Sequence, residues 1–322
     1  MILAGDIGGT KVNLGFFDQQ GTGLKLLAAT TFSARRYSCL EDVVRDFISQ
    51  SRGPVTHACF AVAGPVREGR SQTTNLPWVI DSRSLKESLH ISKVDLINDL
   101  EATGYGISLL GDESLLCLNA GKQVAGNRVV IAAGTGLGEG ILYWNGKEHV
   151  PSPSEGGHSD FGPRNDLEIE LLHYLMKKFP HVSYERIVSG PGLRMIYEFL
   201  RDTGQGKEPS WLAEEIEDGD ATAAVSRAAL EGKSQLAVDA LDLFVAIYGA
   251  EAGNLALKCL ALGGVYVGGG IAPKIKTKLM DGAFMNAFCD KGRFRDMMQA
   301  IPVNVILDDK TALKGAARRA VM

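Results

Sequence analysis

The first candidate for chemistry is a carboxylate that follows a predicted strand. Residues 94–97 are mainly apolar, and Asn98 and Asp99 come directly after them, before glycines at 104 and 106. Ligands of α/β sheets bind at the carboxyl ends of strands, where a carboxylate can serve as a general base. A local role is the alternative, because Asn and Asp also favour turns and helix N-caps. The local sequence leaves both interpretations of Asp99 open.

A glycine turn near the N-terminus is a candidate for phosphate binding. Apolar residues alternate after Gly8 and Gly9, so the segment 3–18 is predicted to be a β-hairpin. This segment is neither a P-loop nor a glycine motif that opens a helix, the two common nucleotide motifs. The backbone N–H groups of Gly8 and Gly9 could approach phosphate oxygens closely, with Thr10 and Lys11 adding a hydroxyl and a charge.

Asp6 stands at the end of the first predicted strand, directly before this turn. Because Mg²⁺ is a hard cation that prefers carboxylate and water oxygens, Asp6 could hold a hydrated Mg²⁺ ion beside a phosphate. The alternative for the whole segment is an ordinary hairpin turn, in which glycine is needed only for its positive φ.

A second segment repeats the pattern of strand, glycine turn and strand. Residues 128–144 contain Gly134, Thr135 and Gly136 between two predicted strands. The two copies are too far apart for a solenoid repeat, so the sequence indicates duplication of a whole lobe. Two lobes that each offer a glycine hairpin to one phosphate group resemble the actin-like ATPase (ribonuclease H-like) fold, which includes sugar kinases. The predicted fold is therefore α/β and two-lobed, with a mixed sheet flanked by helices in each lobe and the active site in the cleft between the lobes.

Polar residues elsewhere could bind a hydroxylated ligand. Glu155 and His158 flank two glycines, and such a pair can accept from and donate to vicinal hydroxyls. Zinc binding is disfavoured there, because no cysteine or second histidine lies nearby. Asn75 lies in a polar loop that is either a hydroxyl contact or a simple turn. Glu185 is either a further hydroxyl acceptor or an exposed acid paired with Arg186.

Three glycines, Gly268, Gly269 and Gly270, follow a predicted buried strand. Bare backbone of this kind would let a flat adenine or ribose lie against it. The alternative is a turn or helix entry with no ligand.

Helices are predicted from apolar spacing in the second half of the chain. They cover residues 165–179, 211–232 and 234–262. A strand over 302–307 and a helix over 312–321 close the chain, and this last helix is predicted to dock against the first lobe. The predicted small lobe comprises residues 1–108 and 309–322, and the large lobe comprises 109–308.

The composition is that of an ordinary globular enzyme. The chain has 322 residues, a net charge of −4 and 22% charged residues. Its basic residues are scattered, which argues against a nucleic-acid partner. The five cysteines have no C-x-x-C spacing and indicate thiols in a reducing compartment. The glycines and charges that interrupt the apolar runs argue against a membrane span, and the N-terminal residues do not resemble a signal peptide. We therefore expect a cytoplasmic protein.

The ordered set of motifs resembles the bacterial glucokinase family, in its group without a zinc site. The resemblance covers essentially the whole chain and uses the segments 5–10, 97–99, 134–138, 155–158, 185–192 and 268–271. Two positions depart from the family: Leu100 stands where it often has Phe, and Ser154 where it often has Gly. The chain also lacks the N-terminal helix-turn-helix of related sugar-responsive repressors.

The resemblance implies a function and a site. The substrates would be glucose and ATP with Mg²⁺, and the protein would be a homodimer. The residues that it implies for glucose are Asn75, Asn98, Asp99, Glu155, His158 and Glu185. Asp99 would accept the proton of the 6-hydroxyl as its oxygen attacks the γ-phosphate, while the glycine hairpins and Thr10 would stabilise the transferred phosphoryl group.

Two alternatives to a glucose kinase stay open at this point. One is a kinase for another hexose or with another phosphoryl donor. The other is a regulator of the same fold that binds sugar or nucleotide without catalysis. Sugar-dependent ADP formation would separate the kinases from the regulator.

Overall fold

The structure is a computed structural model that describes residues 1–21, 23–51, 53–73 and 76–322. The strands are β1 (Ile2–Ile7), β2 (Lys11–Gln20), β3 (Gly23–Ser33), β4 (His57–Val62), β5 (Arg70–Gln72), β6 (Val79–Asp81), β7 (Lys93–Asn98), β8 (Leu115–Asn119), β9 (Arg128–Ala133), β10 (Leu137–Trp144), β11 (His149–Ser154), β12 (Gly264–Gly268) and β13 (Val303–Ile306). The helices are α1 (Leu40–Ile48), α2 (Ser82–Leu89), α3 (Asp99–Ile107), α4 (Asp166–Met176), α5 (Gly190–Asp202), α6 (Ser210–Asp218), α7 (Ala221–Leu230), α8 (Gln235–Cys259), α9 (Lys276–Leu279), α10 (Ala283–Cys289), α11 (Arg295–Gln299) and α12 (Thr311–Ala320).

The chain divides into two compact units. Unit 1 comprises Met1–Ser114, Glu148–Pro153 and Asp308–Met322, and unit 2 comprises Leu115–Lys147 and Ser154–Leu307. Nothing in the sequence indicated that Glu148–Pro153 belongs with unit 1. The lobe boundaries stated above, and the placement of the active site, stay predictions.

Unit 1 is built on the sheet β3-β2-β1-β4-β7. Strands β1 and β4 are buried on both faces, which explains their nearly continuous apolar sequences. Along β4, Phe60 contributes to one core cluster and Ala61 to another. The first cluster includes apolar residues of α1 and α2, and the second includes those of α3 and α12. The final helix therefore packs within unit 1, as predicted for the first lobe.

Unit 2 contains the sheet order β10-β9-β12-β13-β8. Its core is one large cluster in which buried residues of β9, β12 and β13 lie with those of α5, α7, α8 and α10. The long helix α8 contributes most of the helical core, with Phe244 and Tyr248 fully buried. The predicted helices over 211–232 are α6 and α7, and they are separated where Asp220 caps the start of α7.

The two sheets share a common pattern. In unit 1, β2 is antiparallel to β1, and β1, β4 and β7 are parallel. In unit 2, β10 is antiparallel to β9, and β9, β12 and β13 are parallel. This shared order supports the predicted duplication, with a glycine hairpin at the same place in each sheet. None of the described helices is both long enough and apolar enough to cross a bilayer.

Candidate active site

The Asn98–Asp99 pair lies where β7 ends and α3 begins. The Asn98 side chain is the helix cap, because its Oδ1 accepts from the N–H groups of Leu100 at 2.9 Å and Glu101 at 3.4 Å. Asn98 also donates through Nδ2 to the carbonyl of Gly64 at 3.1 Å. Asp99 is the first helical residue, and its Oδ1 accepts from Leu100 N at 2.9 Å. The capping role that the sequence left open for this pair is thus filled by Asn98, and the role of Asp99 as a base stays a prediction.

Asp6 is held by the register of the first hairpin. Asp6 pairs with Asn13 across the β1–β2 ladder, and Asn13 Nδ2 donates to Asp6 Oδ2 at 3.1 Å. Thr31 in turn donates to Asn13 Oδ1 at 2.8 Å. Asn13 was not predicted as a site residue, although the register of a hairpin with a short glycine turn would have placed it opposite Asp6.

Two carboxyl groups at the strand ends of unit 1, Asp6 and Asp99, both have a raised pKa. Burial raises the pKa of Asp99 to about 6, and the negative charge of Asp6 adds to this shift. Burial also raises the pKa of Asp6, against the opposing effect of the Asn13 hydrogen bond. A base whose pKa lies near the working pH combines a useful ionised fraction with a strong affinity for the proton. The electrostatics therefore suit Asp99 to proton abstraction.

The first glycine turn does not need glycine for its backbone angles. Gly8 N donates to Lys11 O at 2.9 Å and closes the turn. In the described part of the chain, neither Gly8 nor Gly9 is among the residues with positive φ. The ordinary hairpin explanation therefore does not account for them. Thr10 and Lys11 are exposed beside the turn, and phosphate binding by this turn stays a prediction.

The second glycine turn is joined to Glu185. The turn is closed by Gly134 N, which donates to Gly136 O at 2.8 Å. Glu185 Oε2 accepts from Leu137 N at 3.0 Å, and a Cβ on Gly136 would overlap the same carboxylate oxygen. Gly136 therefore makes room for Glu185, which adds a reason for this glycine that the sequence did not show.

Three of the predicted sugar contacts gather at the start of β10. His158 Nδ1 lies 3.8 Å from Glu185 Oε1, and His158 and Glu155 are exposed. Gly157 packs so closely on the carbonyl of Leu137 that a Cβ there would overlap it. The predicted alternative pairing of Glu185 with Arg186 is replaced by other contacts, since the Arg186 guanidinium lies 4.4 Å from the centre of the Phe179 ring.

The predicted nucleotide glycines 268–270 differ in their roles. Gly269 has φ +82°, and a Cβ there would overlap the carbonyl of Ala133, so the fold alone requires glycine. Gly270 faces open space, as a backbone surface for a ligand would.

A cavity of about 360 Å³ opens beside this segment in unit 2. It is lined by Leu193 of α5, by Thr222, Ala223, Ser226, Arg227, Leu230 and Glu231 at α7, by Asp220, and by Ile271, Lys274 and Ile275 after β12. Hydrogen bonds connect it to the second glycine turn, since Gly190 N donates to Gly134 O at 2.8 Å and Thr222 Oγ1 donates to Gly190 O at 2.8 Å. The sequence did not indicate the cavity residues of α7, because their mixture of small, apolar and charged side chains is that of an ordinary amphipathic helix.

Asn75 lies outside the described residues, so its predicted sugar contact stays a prediction. Among the described residues, no group of three or more His, Cys, Asp or Glu side chains is arranged around a possible metal position.

Comparisons with known proteins agree over the whole chain. A sequence model of the family described as Glucokinase matches residues 3–322. A glucokinase from Synechocystis sp. is 44% identical over 341 residues, covering 98% of this chain and 96% of its own. A glucokinase from Nostoc punctiforme is 42% identical over 333 residues, covering 98% of both chains. The crystal structure of a glucokinase from an Antarctic psychrotroph superposes with a TM-score of 0.87 at 29% identity, covering 99% of this chain and 98% of that one.

The duplicated sheets, the paired glycine turns and the carboxylates at the strand ends define a sugar kinase with the actin-like ATPase fold. The chain belongs to the glucokinase family. The predicted fold class and family are confirmed, and with them the predicted class of enzyme, a hexose kinase.

Proposed function

We propose that this protein transfers the γ-phosphate of MgATP to the 6-hydroxyl of glucose, giving glucose 6-phosphate and ADP. The observation that carries the proposal is Asp99, a carboxylate that follows its strand directly, is raised in pKa to about 6, and is spared the capping role by Asn98. Family membership supports glucose as the acceptor.

In the proposed reaction, Asp99 accepts the proton of the 6-hydroxyl as that oxygen bonds to the γ-phosphorus. The bond from the γ-phosphorus to the bridging oxygen of ATP breaks, and ADP leaves with that electron pair. Little covalent chemistry is asked of the protein, because positioning and charge stabilisation provide most of the catalysis in phosphoryl transfer.

The sugar is held by hydrogen bonds. Glu155, His158 and Glu185 accept from or donate to its hydroxyls, and Asn75 and Asn98 are further proposed contacts. Asn98 has one Nδ2 hydrogen left for a sugar oxygen after its bond to Gly64. Hydrogen-bonding groups at fixed positions discriminate strongly between sugars that differ in one hydroxyl.

We place the phosphates of ATP at the two glycine turns and its base in the cavity of unit 2. Gly8, Gly9, Thr10 and Lys11 form the first turn, and Gly134, Thr135 and Gly136 form the second. Gly270 provides open backbone beside the cavity, and its neighbours Gly268 and Gly269 shape the backbone that leads to it.

Mg²⁺ is proposed to be held through water by Asp6. The Asp6 carboxylate suits this hard cation, and only Oδ2 is engaged by Asn13. When bound, the cation neutralises phosphate charge.

A large side chain in the cavity of unit 2 should weaken the binding of ATP and leave the binding of glucose unchanged. Ala223 is exposed on α7 and lines the cavity, so Ala223→Trp would occupy the space proposed for the base. We expect the KM for ATP to rise by about tenfold or more, corresponding to about 1.4 kcal/mol, with the KM for glucose unchanged. The control is Glu214→Trp, an exposed position on α6 outside the cavity, and an equal effect of both substitutions would refute this placement.

The proposal is tested by ADP formation from MgATP with and without glucose. Sugar binding without glucose-dependent ADP formation would favour the non-catalytic regulator, and a stronger response to another hexose would favour the second alternative. We also propose a cytoplasmic location, where ATP is available, and a homodimer, which follows from the resemblance to the family.

A further inference from the structure

Two buried carboxyl groups lie behind the proposed sugar site. Glu139 on β10 is 1% exposed and Glu251 on α8 is 0% exposed. Within the described residues, Oε1 of each side chain is buried without a hydrogen-bond partner. A buried carboxylate with an unsatisfied oxygen is costly, so two such oxygens on adjacent acids require an explanation.

The two acids differ in the hydrogen-bond donors and positive charge that surround them. Glu251 Oε2 accepts from Asn254 Nδ2 at 2.8 Å, and Lys258 Nζ lies 3.6 Å from Glu251 Oε1. These groups favour a negative charge on Glu251. Glu139 has no comparable donor among the described contacts, so a single proton belongs on Glu139, where its O–H can donate to Glu251.

Glu139 also lies directly against the turn that carries two of the proposed sugar contacts. A Cβ on Gly156 would overlap Glu139 Oε2, so the turn backbone rests on this carboxyl group. Ser154 Oγ accepts from Gly156 N at 2.9 Å, which gives the unusual Ser154 a role in the same turn. The exposed Glu155 and His158 are therefore positioned by backbone that Glu139 supports.

We propose that Glu139 and Glu251 share one proton, and that Glu139 in its neutral form is a positioning residue for the turn that binds glucose. The part of this inference that concerns glucose rests on the proposed function. The shared proton does not depend on it, because it follows from the burial of Glu139 on β10 and Glu251 on α8.

The electrostatics of the pair agree with a proton that is retained at neutral pH. Burial raises the pKa of Glu139 to about 8, the charge of Glu251 adds to the rise, and Lys258 opposes it. The other titratable groups that face the pair are Tyr248 and Cys259 of α8, Tyr184 before α5, and Lys291 after α10. Above this pH a second buried charge appears beside Glu251, and repulsion displaces the carboxyl group from Gly156.

The first test compares glucose affinity between pH 7 and pH 9, measured calorimetrically on the full chain. We expect the Kd of the wild type to rise at least fivefold over this range. Glu139→Gln keeps an N–H donor towards Glu251 but cannot ionise, so its Kd for glucose should not change between pH 7 and pH 9. Equal rises in wild type and variant would overturn the proposal.

A second variant tests the proposal even if the buried substitution Glu139→Gln prevents folding. Lys258 is 58% exposed, so Lys258→Met should fold. It removes the cation that favours ionisation of the pair, and the alkaline rise in Kd should therefore move to higher pH. Lys177→Met, at the exposed end of α4, is the matched control and should behave as wild type. An unshifted profile in Lys258→Met would also overturn the proposal.

Thermal unfolding separates this proposal from the proposed function. If neither the wild type nor the variants bind glucose at any pH, the proposed function fails. The positioning role of Glu139 then fails with it. The shared proton is still tested, because a group whose pKa is raised on folding stabilises the fold at low pH and loses that contribution as pH rises. The Tm of the wild type should fall relative to Glu139→Gln between about pH 5 and pH 8. If the Tm of the wild type and of Glu139→Gln changed in parallel with pH, no such proton would be held by the pair.

Discussion

Replacing Asp99 with Asn is expected to lower kcat by about 10³-fold while glucose still binds. Asn has the same shape and its Oδ1 can still accept from Leu100 N, the contact that Asp99 makes at 2.9 Å. The amide cannot accept the proton of the attacking hydroxyl, so the loss falls on the chemical step. Steady-state kinetics with an independent measurement of glucose binding would separate the two effects.

The control for Asp99 is Glu101→Gln, which removes another carboxylate from the first turn of α3. We expect kcat to change by less than about threefold. The wild type should also lose activity below about pH 6, because Asp99 must be ionised to act and its pKa is raised to about 6. Substantial turnover by Asp99→Asn would refute its assignment as the base.

Replacing Gly315 with Val should cause the largest loss of stability. Gly315 lies on α12, and a Cβ there would overlap the carbonyl of Ala102 on α3. Gly106 of α3 approaches Thr311 of α12 as closely. Both clashes involve backbone, so the helices must separate, and we expect unfolding to become easier by about 3 kcal/mol.

Gly315→Val should also lower kcat, because α3 begins at Asp99 and would be displaced with the helix pair. Denaturant unfolding measures the stability change. Gly53→Ala is the control, since Gly53 faces open space and does not have a positive φ, and it should be nearly neutral. A normal stability for Gly315→Val would show that α3 and α12 do not pack this closely.

Both glycine hairpins could be predicted from the sequence because their signal is local. The residues after Gly8–Gly9 alternate between buried and exposed types, which favours a strand. The order of strand, glycine turn and strand recurs around Gly134–Gly136, and both turns join antiparallel strands as predicted. Asp99 could be found for the same reason, since a strand end beside a polar pair is visible in a short window.

The buried acids and the nucleotide cavity could not be predicted because their signals are tertiary. Glu139 appears in the sequence as a charge that interrupts an apolar run, and only the packing of α8 brings Glu251 beside it. The lining of the cavity comes from α5, α7 and the segment after β12, which are far apart in the chain. The role of Gly136 was similarly hidden, because it depends on the position of Glu185.

The most direct test of the account is the product formed from MgATP by the purified protein with glucose, with 6-deoxyglucose and without sugar. We predict ADP only with glucose, with an equal yield of glucose 6-phosphate. 6-Deoxyglucose, which lacks the acceptor hydroxyl, should bind and inhibit without being phosphorylated. ADP formation that is independent of glucose, or a phosphate on another position of the sugar, would contradict the proposed transfer to the 6-hydroxyl.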